Sequence, residues 1–290
     1  MKIEEVITQT IIAIYSTSTL SKTLLLKGGS AMRLFDNLTS RLSIDADFSV
    51  HTDIDNENKF FRELKSSVVT KFRREKLDII DFEWSRKPGK KRAGFPDWWG
   101  GWLCEFKLVS FQHRGKSIET KRRNAFIPDG ANSSKVTVEI SKHEYCGKRR
   151  TKTIQGVKIF GYSRELLVVE KIRAICQQHP DYAYRSSKNR ARDFYDIYEL
   201  TASTDDSFIS RCSSQIEKVF RAKEVPLKIL ELFPEDSAKY YRMIPLSRKN
   251  NMLEVGMVYP EDLKAQEALK FLARQGKFSY RVSLIALSTF

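Results

Sequence analysis

Two aspartates two residues apart, Asp45 and Asp47 in RLSIDADFS, have a spacing that implies chemistry. On a strand, residues two apart project to the same side, so both carboxylates face one way while Ile44, Ala46 and Phe48 face the other. Two carboxylates held side by side repel unless a cation lies between them. Hard oxygen donors at that spacing suit Mg²⁺, which fills its remaining positions with water and substrate phosphate oxygens. Upstream, KGGSAMRLF places Lys27, Gly28, Gly29 and Ser30 ahead of a helix-like run. The glycines let the backbone turn sharply and approach a ligand. A helix start offers free amides and the positive end of the dipole to a phosphate. This is not the GxxxxGK[ST] loop, whose spacing is absent.

A second metal ion needs a third carboxylate from a neighbouring strand. Glu139 in VTVEIS is the first choice, because it points opposite to Val136, Val138 and Ile140; Glu105 in CEFKL is the second. A charge facing outward from a sheet explains either one equally well. Far downstream stand Lys171 in ELLVVEKIRAI, then Asp193 and Asp196 in RARDFYDIYEL. Such a lysine can neutralise charge developing on a departing pyrophosphate, and an aspartate can orient it. Taken singly, a DxD is common by chance, and EK followed by DxxD reads as two charged helix faces.

The elements that must position these residues follow from periodicity. Ile3, Val6, Ile7, Ile11 and Ile14 predict an amphipathic first helix, and Leu24–Leu26 a short buried strand stopped by Gly28-Gly29. Residues 31–37 read as a short helix and 42–50 as an alternating strand. Phe60, Phe61, Leu64, Val68 and Phe72 share one face of a helix over 57–76. DIIDFEW (78–84) and WLCEFKLVSF (102–111) read as a hairpin with a long charged loop. Trp98, Trp99 and Trp102 read as its hydrophobic anchor rather than a base-stacking platform. VTVEI (136–140) is a further strand, and GKRRTKTIQG (147–156) a basic, hydroxyl-rich stretch. Ser163 is a fitting N-cap for a helix over 163–178; residues 190–201 form another, and 207–275 are mostly helical patterns broken by prolines. The organisation is α+β: a core over 1–160 with a mixed sheet, then a mainly helical C-terminal part over 161–290.

The composition bounds the partners. The chain has 290 residues, 41% hydrophobic and 30% charged, which suits a globular protein with a substantial core. A net charge of +15 favours polyanions, nucleic acid first. Lysines and arginines at 86–92, 121–123, 148–150 and 185–192 are placed to track phosphates, although a solvated loop explains any single cluster. The four cysteines form no CxxC pair, which argues against zinc and for reduced thiols in the cytoplasm. The N-terminal apolar run is too short and interrupted for a signal peptide or membrane span, so no membrane partner is expected.

KGGSAMRLF, RLSIDADFS, ELLVVEKIRAI and RARDFYDIYEL, in this order and spacing, resemble the AbiEii/AbiGii toxin family of nucleotidyltransferases, whose core is polymerase-β-like. The resemblance covers roughly residues 24–200. It implies a type IV toxin–antitoxin toxin that moves a nucleoside monophosphate from an NTP to RNA, a tRNA 3′ end in particular, and so blocks translation. It implies Gly29 and Ser30 for the nucleotide phosphates, with Lys27 and Gly28 beside them, and Asp45 and Asp47 for Mg²⁺, to which the strand reading adds Glu139. Asp45, Asp47, Lys171 and Asp193 are implied as catalytic, with a cognate antitoxin encoded nearby that need not form a stable complex. Met32 stands where the family usually has leucine. Two alternatives remain at this point: nucleotidylation of a protein side chain, and a non-catalytic nucleic-acid-binding module of the same fold.

Overall fold

The computed structural model describes residues 1–38, 43–89, 95–96, 98–179, 182–185, 190–202, 204–227, 243–249, 251–275 and 277–284. The chain divides into two compact units, Met1–Leu167 and Val168–Phe290.

In the first unit the order is α1 (Ile3–Tyr15), α2 (Ser18–Thr23), β1 (Leu25–Lys27), α3 (Gly28–Asp36), β2 (Asp45–Ser49), α4 (Glu57–Arg74), β3 (Leu77–Lys87), β4 (Gly101–Ser110), α5 (Ile118–Arg123), β5 (Lys135–Ser141), β6 (Arg149–Ile154) and β7 (Val157–Tyr162). Leu42, expected to open a strand, lies outside the described residues; β2 runs from Asp45 to Ser49. Among the described residues, seven strands form one sheet in the order β3-β4-β5-β2-β1-β7-β6. The sheet is mixed: β2 pairs with β5 and β1 with β7 in parallel, and the other neighbours are antiparallel.

One face of the sheet is apolar. Leu26, Phe48, Cys104, Phe106, Val136 and Val138 are fully buried, as are Ile7, Ile11 and Ile14 of α1 and Leu64, Val68 and Phe72 of α4. These helices carry a 3.6-residue apolar stripe and the strands a two-residue one, so helix stripe and strand face bury each other. Trp102 belongs to this core at 1% exposure and packs near Phe61. Trp98 and Trp99 meet edge to face outside it.

Three features near the site were not anticipated. The basic stretch 147–156 supplies β6, and β6 turns into β7 through Gln155-Gly156, both at positive φ, as a two-residue hairpin turn requires. β1 is only three residues long and meets β7 through the single pair Leu26↔Gly161. Tyr15 seals that junction: its hydroxyl accepts the Leu26 amide (3.0 Å) and bonds the Phe160 carbonyl (2.5 Å). Finally, Asp36 and Arg150 form a two-pronged ion pair (2.6 and 2.5 Å) that ties the end of α3 to β6.

The second unit contains most of α6 (Arg164–Cys176), with α7 (Ala191–Thr201), α8 (Asp206–Arg221), β8 (Met243–Lys249), β9 (Met252–Met257), α9 (Leu263–Gln275) and β10 (Ser279–Leu284). Its helices are joined by a sheet of order β10-β9-β8, packed on α9 through Met243, Leu253, Val255, Met257, Ala265 and Leu269. Among the described residues, no helix is long and apolar enough to cross a membrane. Cys104, Cys176 and Cys212 are buried thiols, and burial pushes Cys104 and Cys176 up to about 12.

Candidate active site

The face of the sheet opposite the core carries the charged residues. In β2, Ala46 and Phe48 are fully buried in the core while Asp45 and Asp47, of opposite parity, are half-buried on the other side. Register aligns the neighbours: Lys27 of β1 pairs with Asp47, and Asp47 pairs with Glu139 of β5. Lys27, Asp47 and Glu139 therefore form one row across three adjacent strands, with Asp45 one pleat further along. Glu105 pairs with Thr137, in the row of Asp45, and is held by Lys135 at 3.1 Å.

The glycine turn sits against this row. Gly28 adopts φ +63°, a left-handed conformation, and a Cβ there would collide with Asp47 Oδ2. Only glycine lets the chain leave β1 and enter α3 so close to that carboxylate. Lys27, in the position before the helix, offers no side-chain acceptor to the first-turn amides of α3. Those amides and the helix dipole favour an anion by about 0.3–1 kcal/mol when exposed, and up to about 2 kcal/mol in partly buried geometry.

Ser30 has a specific place. It is fully buried, and its hydroxyl donates to the Asp45 carbonyl (2.8 Å) and lies 3.0 Å from the Ser43 hydroxyl. The hydroxyl thus fixes the first turn of α3 to the start of β2, and so fixes where the Asp45 carboxylate begins. Gly29 follows the turn inside α3.

Two partners of this site escaped the sequence. Lys87, at the end of β3, donates to Glu139 Oε2 at 2.8 Å. Glu144 lies 3.7 Å from the Lys27 ammonium, and both residues are buried. Asp45 and Asp47 present hard oxygen donors on one open face, which fits a small divalent cation. Glu139 can join such a set only when Lys87 moves off it. Among the described residues, no group of three His, Cys, Asp or Glu side chains is gathered for a metal.

Lys171 and Asp193 belong to the second unit, where the structure joins them. Lys171, 5% exposed, donates to Asp193 Oδ1 at 3.1 Å and forms a closer ion pair with Asp196, which is fully buried. Arg190 adds a contact to Asp193 Oδ2 at 3.3 Å. Asp196 thus braces α6 against α7 through Lys171, while Asp193 is shared between Lys171 and Arg190. Of the basic clusters, residues 90–92 and 186–189 lie outside the described residues. Arg86 pairs with Glu57 and Arg122 with Asp81.

A family model described as nucleotidyl transferase AbiEii toxin, type IV toxin–antitoxin system, matches residues 11–247. The chain belongs to the AbiEii family. It is therefore a nucleotidyltransferase of a toxin family, and its four sequence blocks all fall inside the matched range. A second model, described as the MshEN domain, matches residues 220–285. No curated protein matches the chain. Among solved structures, the chain is similar to an antigenic nucleotidyltransferase-like protein from Paracoccidioides brasiliensis (16% identity, 77% of this chain and 93% of that one, TM-score 0.37). It is also similar to a nucleotidyltransferase described as putative from H. pylori (16% identity, 80% and 86%, TM-score 0.40). A third likeness is to MenT4, a nucleotidyltransferase toxin from Mycobacterium tuberculosis (13% identity, 80% and 72%, TM-score 0.45). The AbiEii match, not these three likenesses, decides the assignment.

Proposed function

We propose that this AbiEii-family nucleotidyltransferase moves a nucleoside monophosphate from an NTP to an RNA hydroxyl, a tRNA 3′ end in particular, with Mg²⁺ as cofactor, and blocks translation by doing so. The observation that carries the reading is the Lys27–Asp47–Glu139 row set against the Gly28 turn. It brings phosphate-binding amides and oxygen donors to one point of the sheet.

The first-turn amides of α3 hold the phosphates, and Lys27, kept in place by Glu144, contributes positive charge beside them. The acceptor hydroxyl oxygen bonds the α-phosphorus as the bond to the bridging oxygen breaks; pyrophosphate leaves with that electron pair, and the hydroxyl proton passes to solvent. Asp45 and Asp47 would hold a divalent cation, which supplies charge to the phosphate oxygens and lowers the pKa of the attacking hydroxyl. Lys171, held by Asp193 and Asp196, and Asp193 itself are taken as further functional residues because the family pattern implies them. The net charge of +15 supports a polyanionic acceptor, and a cognate antitoxin follows from the family.

The test is incorporation of each labelled NTP, with Mg²⁺, into deacylated tRNA and separately into cell protein. Labelled tRNA with native protein, and none with Asp45→Ala, is expected. Label in protein alone would replace the RNA acceptor with a protein side chain. No label anywhere, with RNA binding unaffected by Asp45→Ala and Asp47→Ala, would mark a non-catalytic binding module.

A further inference from the structure

We propose that the β6–β7 hairpin is the ledge on which the acceptor RNA lies, with Arg149 and Lys158 on its phosphates and Phe160 under a base. This rests on the RNA-acceptor reading above and locates where that RNA is held.

Register puts the hairpin on the active face. The Tyr162 hydroxyl donates to Ser49 Oγ at 2.8 Å, and Ser49 shares the parity of Asp45 and Asp47 along β2. Tyr162 therefore belongs to the face that carries the carboxylates. Residues directly opposite in an antiparallel pair share a face, and Arg149 is opposite Tyr162, Thr151 opposite Phe160, and Thr153 opposite Lys158. All of these side chains are thus on the carboxylate side of the sheet. Leu26 lies beside Gly161 in the parallel β1–β7 pair, so the next residues, Lys27 and Tyr162, are neighbours. One row then runs Arg149, Tyr162, Lys27, Asp47, Glu139. At a strand spacing of about 4.8 Å, Arg149 stands roughly 14 Å from Asp47, about two to three nucleotides of extended strand.

The chemistry of the ledge selects its occupant. Arg149, Thr151, Thr153 and Lys158 are exposed, and β6 is the edge strand of the sheet. Arg149 lies 4.9 Å and Lys158 5.6 Å from the ring centre of Phe160, on which both cations converge. Among the described residues Arg149, Lys152 and Lys158 make no ion pair, unlike Arg150, which Asp36 occupies. Cations flanking an aromatic ring, with hydroxyls between them and a single apolar side chain, suit stacked bases and backbone phosphates better than a protein surface. Because recognition through stacking and phosphate contacts tolerates sequence, the ledge would fix the path of the strand and leave the choice of terminus to the catalytic row.

The test uses full-length protein and a labelled single-stranded RNA oligonucleotide ending in a free 3′ hydroxyl, with binding measured across a potassium chloride series. Arg149→Glu/Lys158→Glu should weaken RNA binding tenfold or more and flatten the log affinity against log salt slope by about 1.4, the loss of two single-strand phosphate contacts. Lys76→Glu/Lys116→Glu, with the same charge change on exposed residues outside the basic clusters, should shift binding less than threefold. Phe160→Leu should weaken RNA binding while keeping the salt slope. Affinity for a labelled NTP, measured without RNA, should be equal in all forms. Equal RNA affinity in the hairpin and control variants would overturn the ledge and leave the RNA acceptor standing. Native protein that consumes NTP yet retains no RNA would overturn both.

Discussion

Replacing Gly28 by alanine adds one methyl group at the junction of β1 and α3, where Asp47 already occupies the space. At φ +63° an L-residue costs about 1 kcal/mol relative to glycine. The new Cβ would overlap Asp47 Oδ2 and stand 3.1 Å from both Cβ and Cγ of that residue. The carboxylate must retreat by roughly 1 Å, or the turn must open by as much; a displacement of that size at a reacting centre costs about 100-fold in rate. The fold should lose only about 1–2 kcal/mol, a fall of roughly 3–6 °C in a domain of this size. Initial rates of nucleotide incorporation well below the melting temperature, beside a calorimetric melt, separate the two effects. A variant that melts lower yet keeps its rate within threefold of native would refute the close packing of turn and carboxylate.

Three further outcomes follow from ion pairs and hydrogen bonds. Asp196→Ala leaves Lys171 buried beside a half-satisfied cluster and should cost about 3–5 kcal/mol in chemical denaturation, whereas Asp193→Ala, with Arg190 and some solvent nearby, should cost less; the reverse order would be wrong for this arrangement. Tyr15→Phe removes the acceptor of the buried Leu26 amide and should destabilise by about 1–2 kcal/mol without changing the NTP dependence of the rate; an unshifted melt would show that the β1–β7 junction needs no such seal. Arg122 first, then Lys107, hold the Asp81 carboxylate below its usual range. A depressed folded value gives stability that is present above the unfolded value near pH 4 and lost as pH falls through the folded one. Native protein should therefore lose melting temperature below pH 4 more steeply than Asp81→Asn, and parallel acid limbs would count against the pairing.

The parts of the site visible in the sequence were those that depend on local parity. Alternation alone puts Asp45 and Asp47 on one side of β2 and Glu139 opposite its valines, and the register then sets Asp47 beside Glu139. Lys87 and Glu144 were not visible, because each meets its partner across a long stretch of chain, 52 residues for Lys87 and Glu139. The hydroxyl of Ser30 could be read as a phosphate ligand, but nothing local reveals that it reaches the Asp45 carbonyl. β6 was hidden by its own charges: alternating Arg, Thr and Lys suits a strand with a solvated face, yet only the Gln-Gly turn signals a hairpin. The sheet of β8, β9 and β10 was obscured by short segments interrupted by Pro245 and Pro260, although MLEVGM in β9 has buried alternating residues.

The central claim is that the carboxylates of β2 serve nucleotidyl transfer to RNA. The most direct measurement is magnesium-dependent incorporation of label from each NTP into deacylated tRNA by native protein, Asp45→Ala and Asp47→Ala, each verified as folded by its melt. Label on tRNA with native protein and at least a thousandfold less with either variant, about 4 kcal/mol in the barrier, is the expected result. Equal incorporation by native protein and by either folded variant would contradict it.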